Sequence, residues 1–214
     1  MLSARPQINT ATLLGHTDAM RASPAAGAGS AEHARVWVRS MGGPLLVVPV
    51  SAVTSWGGCT TTGMVLDGTG APDDYDRACT VAGLAGVIGV GDGGAQALVL
   101  ADEPATTCYL PQHRAFLRWL AASSEAELTA EAGRVLADPS TDWQDCGTWT
   151  TDGPALLMDS ANAGTDLADG YPDGRLPDQA PVPLPAGTWK VQAVHTEADE
   201  LNWVGLVRLL PTSP

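Results

Sequence analysis

Val87-Ile88-Gly89-Val90-Gly91-Asp92-Gly93-Gly94-Ala95-Gln96-Ala97-Leu98-Val99-Leu100 carries two apolar, β-type runs on either side of a glycine-rich turn. Glycines that reach positive φ without steric cost, set between such runs, are the mark of a β-hairpin. Upstream, Gly43-Pro44-Leu45-Leu46-Val47-Val48-Pro49 is a short apolar run bounded by Gly and Pro, as in a strand buried on both faces. Val36-Trp37-Val38-Arg39 gives a strand before it. The stretch from Thr54 to Asp76 is rich in Gly, Thr and Asp and reads as a long loop or a weak extended segment.

Downstream, Ala115-Phe116-Leu117-Arg118-Trp119-Leu120 reads as a strand. Ser124-Glu125-Ala126-Glu127 has the capping-box pattern, and Leu128, Ala132, Val135 and Leu136 then fall on one helical face up to Asp138-Pro139. The second half has strands at 153–158, 188–194 and 203–210. Between the first two lies a polar loop over 160–186, in which Pro181, Pro183 and Pro185 exclude a central strand. Gly43-Pro44-Leu45-Leu46 and Leu98-Val99 have counterparts in Gly153-Pro154-Ala155-Leu156 and Leu206-Val207 at nearly the same offset. The expected fold is mostly β, α+β by count: two related antiparallel β modules packed together, with one helix around 125–137. Residues 1–34, rich in Ala, Ser, Gly, Thr and Pro, are expected to form a disordered tail. The first module spans 35–123, the helix and linker 124–140, and the second module 141–214.

The chain has 214 residues, 44% of them hydrophobic, and a mean hydropathy of +0.02, an ordinary globular composition. Eleven Lys and Arg face 24 Asp and Glu, for a formal net charge of −13, and Lys190 is the sole lysine. Such a surface repels phosphate backbones and attracts basic proteins, so a nucleic-acid partner is not expected. Cys59, Cys79, Cys108 and Cys146 contain no C-x-x-C pair and read as reduced thiols, Cys79 as a buried structural one. No apolar run is long enough for a signal segment or a membrane span, and a cytoplasmic location is the expectation.

Catalytic patterns are missing. His16, His33, His113 and His195 have no nucleophile-elbow or Cys-His context. Gly91-Asp92-Gly93-Gly94 lacks the Lys-Ser/Thr ending of a phosphate loop. Asp67 with Asp73, Asp74 and Asp76 lacks the alternating spacing of an EF-hand, and no Cys or His pair has zinc-ligand spacing, so no cofactor is expected. A metal-assisted hydrolase built on Asp73, Asp74 and Asp76 ranks below every binding role. What stands out instead is acidic clusters on loops, Asp73-Asp74-Tyr75-Asp76, Asp102-Glu103, Asp166 with Asp169 and Asp173, and Asp199-Glu200, with Trp56, Tyr75 and Trp203 close by in sequence. Aromatic anchors ringed by acids suit a basic protein partner.

Several strings also carry a family likeness: Gly42-Gly43-Pro44-Leu45-Leu46-Val47-Val48-Pro49, Trp56-Gly57, Asp74-Tyr75-Asp76-Arg77-Ala78-Cys79, the hairpin run, Asp102-Glu103-Pro104, Gly153-Pro154, Asp159-Ser160-Ala161 and Leu206-Val207-Arg208-Leu209. In these the chain resembles the immunity protein 21 family of bacterial polymorphic toxin systems, over about residues 36–210. It differs in extra Gly and Thr after Trp56, in Cys108 where a Trp is usual, and in its N-terminal extension. The resemblance implies a non-enzymatic protein that binds and neutralises a cognate toxin. The alternative is a non-catalytic β-sandwich binding or scaffold module. The oligomeric state is not legible.

Overall fold

The computed structural model describes residues 35–63, 70–197 and 202–212; the expected tail at 1–34 lies outside them. The buried run Leu45–Pro49 is strand β2, preceded by the short β1, Trp37–Val38. The hairpin forms as read: β3, Gly86–Val90, pairs with β4, Ala95–Leu100, and its turn uses Gly91 at φ +54° and Gly94 at φ +76°. Next come β5, Thr107–Leu110, and β6, Ala115–Ala121. The second half supplies β7, Gln144–Thr151; β8, Ala155–Asp159; β9, Gln179–Val182; β10, Gly187–Glu197; and β11, Trp203–Pro211.

All pairing is antiparallel, in two sheets: β1-β5-β6-β11-β10-β7, and β3-β4-β2-β8-β9. Each sheet draws strands from both halves of the chain. The matched strings Gly43–Leu46 and Gly153–Leu156 lead into neighbours, β2 and β8, whereas Leu98-Val99 and Leu206-Val207 lie in different sheets. Strand β9 sits on an edge, where Pro181 removes no interior ladder donor.

Two helices cover the outer faces. The capping-box segment opens α2, Glu125–Ala137, with the Ser124 hydroxyl accepting from the Glu127 amide at 3.2 Å. Leu128, Ala132 and Val135 pack on Leu117, Val194 and Leu206 of the six-stranded sheet. The loop expected over 54–76 is more structured than its composition predicts. A 3-10 turn spans Val50–Ser55, and Asp74–Cys79 forms the helix α1. The polar composition hid α1 because its start signal is an Asp-x-x-Asp capping box, with reciprocal bonds between Asp73 and Asp76. Ala78 of α1 and Trp56 pack with Leu46, Val48, Val99 and Met158 on the outer face of the five-stranded sheet. Between the sheets, Val47, Leu98 and Leu157 meet Phe116, Val191 and Val207. Covering both faces of β2 explains why all five of its residues are buried and why it reads as an unbroken apolar run. No helix among the described residues is long and apolar enough to cross a membrane.

Candidate functional site

The long strands leave one end of the six-stranded sheet uncovered. At 11 and 9 residues, β10 and β11 outrun the four to six residues of each strand in the opposing sheet. Trp189, Val191 and Ala193 of β10 and Val207 and Leu209 of β11 lie in the core between the sheets. Because side chains alternate, His195, Glu197, Gly205 and Trp203 continue the same face past the core. A bulge where Trp203 and Val204 face Ala121 and Trp119 leaves Leu120 as the extra residue. Bulges of this kind re-aim side chains at strand ends.

The segment Ala101–Ala105, which follows β4, closes over this exposed end. Arg118 of β6 holds it there: the guanidinium donates to the Ala101 carbonyl at 2.5 Å and to the Glu103 carbonyl, and the side chain is buried. Gly205, in register with both Arg118 and His195, leaves the space they need. A Cβ at that position would lie 3.0 Å from Arg118 Cβ and 3.2 Å from the His195 ring. The result is a cleft of about 690 Å³, lined by Trp119, Leu120 and Trp203 and by the exposed carboxylates of Asp102, Glu103 and Glu197 at its rim.

The electrostatics of the cleft follow from burial. Desolvation brings the Arg118 guanidinium down to about 10, against the pull of Asp102 and Glu103, so it stays charged at neutral pH. Burial, and then Arg118, push the His195 imidazole below its ordinary value, outweighing Asp102 and Glu103. His195 Nδ1 lies 3.2 Å from Asp102 Oδ2, and for a neutral imidazole this is a hydrogen bond rather than an ion pair. Asp102 itself adopts φ +72°, a left-handed conformation that Asp tolerates better than most residues. With His195 neutral, three carboxylates against one buried guanidinium leave the cleft negative.

The acidic residues singled out in the sequence therefore divide. Asp102, Glu103 and Trp203 come together here. Asp199 and Glu200 lie outside the described residues. Asp73, Asp74 and Asp76 are turned to structural use. Asp73 accepts from the Thr60 amide at 2.6 Å and from the Asp76 amide at 2.8 Å, and Asp74 accepts from the Gly57 amide at 2.7 Å and from Arg77. Burial pushes the Asp73 carboxyl up, but the Asp76, Thr60 and Tyr75 amides with the Thr60 hydroxyl hold it below its usual range. Asp76 is itself buried, and Tyr75 packs against Gly43. Trp56 departs from its expected role as a surface anchor: it is 1% exposed, with its indole N–H donating to the Ser160 carbonyl at 2.9 Å, because the outer face of the five-stranded sheet needs a cover. The segments around 56–60 and 161–164 do adjoin, through Cys59 N–H to the Ala161 carbonyl and Gly164 N–H to the Trp56 carbonyl. Asp166 and Asp169 are exposed beyond them.

Sequence reasoning missed His195, Glu197, Trp119 and Leu120 as partners in one site; the alternation of β10 was the available signal for the first two. Cys79 is exposed at the end of α1, not buried as expected, since a helix this short leaves its last turn at the surface. Partial burial and nearby carboxylates raise its thiol, so it is no activated nucleophile. All four cysteines are unpaired, and the described residues hold no metal-binding cluster of His, Cys, Asp or Glu.

The family model described as Immunity protein 21 matches residues 36–202, from β1 to the end of the β10–β11 connection. The chain belongs to the immunity protein 21 family. Membership suggests an immunity protein, and such proteins imply a toxin partner. The matched span includes Asp102, Glu103, His195 and Glu197, whereas Trp203 falls just past it. No curated protein and no solved structure matches the chain.

Proposed function

We propose that this member of the immunity protein 21 family binds a cognate bacterial toxin in the cytoplasm and neutralises it without catalysis, using the acidic cleft between Ala101–Ala105 and the β10–β11 hairpin. The observation that carries this reading is a concave site with an exposed tryptophan and three rim carboxylates in a chain of the immunity protein 21 family. Trp203, 42% exposed, is a large apolar side chain left facing solvent. An aromatic that is desolvated on binding and enclosed by polar groups is the usual energetic centre of a protein interface.

Charge supports a basic partner. Many of the cations are occupied within the chain: Arg35 with Glu125, Arg39 with Asp178, Arg77 with Asp74, Arg175 with Asp173 and Lys190 with Asp145. The surplus of carboxylates is then what an approaching protein meets, and it accelerates encounter with a basic one.

Co-expression with the protein encoded beside its gene, tested as the cognate toxin, checks the reading. Wild-type chain restores growth and co-purifies with the toxin; no rescue and no complex removes the proposal. The Trp203→Ala variant folds normally and binds the toxin about tenfold or more weaker, the loss seen at an interface hot spot.

A further inference from the structure

Resting on the reading of the cleft as a partner-binding site, we infer that it takes one arginine side chain, presented by a loop of the partner protein, with the guanidinium stacked on Trp203 and paired to Glu103 and Glu197.

Three features select this occupant. First, the cleft joins two environments that only a long cationic side chain matches along its length. Leu120, Pro104 and Ala105 offer apolar contact to a methylene stem, and the carboxylates stand at the rim. Second, the aromatic lining favours a planar cation. A guanidinium stacks on an indole face and still directs N–H groups in its plane to carboxylates, whereas an ammonium offers a point charge. Third, the rim carboxylates have few competing partners inside the chain. Asp102 is engaged with His195, and Arg118 reaches Glu103 through the backbone carbonyl rather than the carboxylate. Arg118 lies behind the site and partly offsets the rim, but it is buried and fixed on two carbonyls. An incoming guanidinium thus meets Glu103 and Glu197 as exposed acceptors in the same cleft as Trp203.

The test is an NMR titration of full-length ¹⁵N-labelled protein with acetyl-Gly-Arg-Gly-amide, following the indole N–H signal of Trp203, assigned by its loss in Trp203→Phe. The same peptide with citrulline or lysine in place of arginine provides the comparisons. The arginine peptide should shift the Trp203 signal saturably. The citrulline peptide should bind about tenfold weaker or worse, the scale of a lost charge-assisted contact. The lysine peptide should fall in between. Glu103 and Glu197 are exposed, so Glu103→Gln/Glu197→Gln keeps the fold and should weaken the arginine peptide by about tenfold. Asp166→Asn/Asp169→Asn removes the same charge outside the cleft and should leave binding unchanged. Equal binding of the citrulline or lysine peptide, no effect of the Glu pair, or an equal effect of the Asp pair would each overturn the inference. Growth rescue reads the immunity function separately. Lost arginine binding with intact rescue defeats this inference alone, whereas intact arginine binding without rescue defeats the toxin as partner.

Discussion

Trp56 and Trp203 show how one residue type is put to opposite uses by its neighbours. Trp56 fills the outer face of the five-stranded sheet, and truncation would empty a large volume and orphan the Ser160 carbonyl. Trp56→Ala is therefore expected to cost about 3–5 kcal/mol, read as a lower urea midpoint at unchanged slope. Trp203 has no such burial, and Trp203→Ala should change stability by less than about 1 kcal/mol while weakening partner binding. Asp73 is a third case, an acidic residue whose value is local. Its carboxylate caps α1 and ties Thr60 to it, so Asp73→Ala should destabilise by about 1–2 kcal/mol, and Asp73→Asn, which keeps an acceptor, by less. In the sequence these roles look alike, because an Asp that caps and an Asp that greets a partner differ only in what the fold brings to their oxygens.

At the level of elements, legibility tracked how local the signal was. The β3–β4 hairpin and α2 carry their instructions within a dozen residues, in turn glycines, a capping serine and a helical apolar stripe. Strand β7 does not. It lies on a sheet edge, most of its residues face solvent, and Trp149 and Thr151 are its only buried ones, so its polar sequence carries no apolar run to mark a strand. The cleft is harder still, since Arg118, His195 and Trp203 meet only through the register of β6, β11 and β10 and the bulge beside Trp203. Gly205 is the residue on which that register depends. Gly205→Val would drive a branched side chain against Arg118 Cβ and the His195 ring, both held by central strands. The expected cost is about 1–3 kcal/mol, with shifted resonances for the 101–105 segment as its structural signature.

For the molecule as a whole, His195 links stability to pH. Unfolded, it takes up a proton near its ordinary 6.5; folded, burial and Arg118 resist protonation. The unfolded state thus binds more protons as pH falls through 6.5, and the stability present above that value is lost on the way down to the depressed folded value. The melting temperature should drop between about pH 7.5 and about pH 5.5, and drop less in His195→Gln. Asp159, whose carboxyl is pushed up by burial, acts in the opposite sense nearer the carboxylate range. Connectivity is the other property of the whole chain. The six-stranded sheet has β11 in its interior, between β6 and β10, and the five-stranded sheet needs β8 beside β2. During synthesis, neither sheet can be completed by the early strands, which must wait on the ribosome with their hydrogen-bonding edges bare. Completion of the fold therefore requires translation through β11, and a chain cut within that strand is expected to lose its cooperative melting transition.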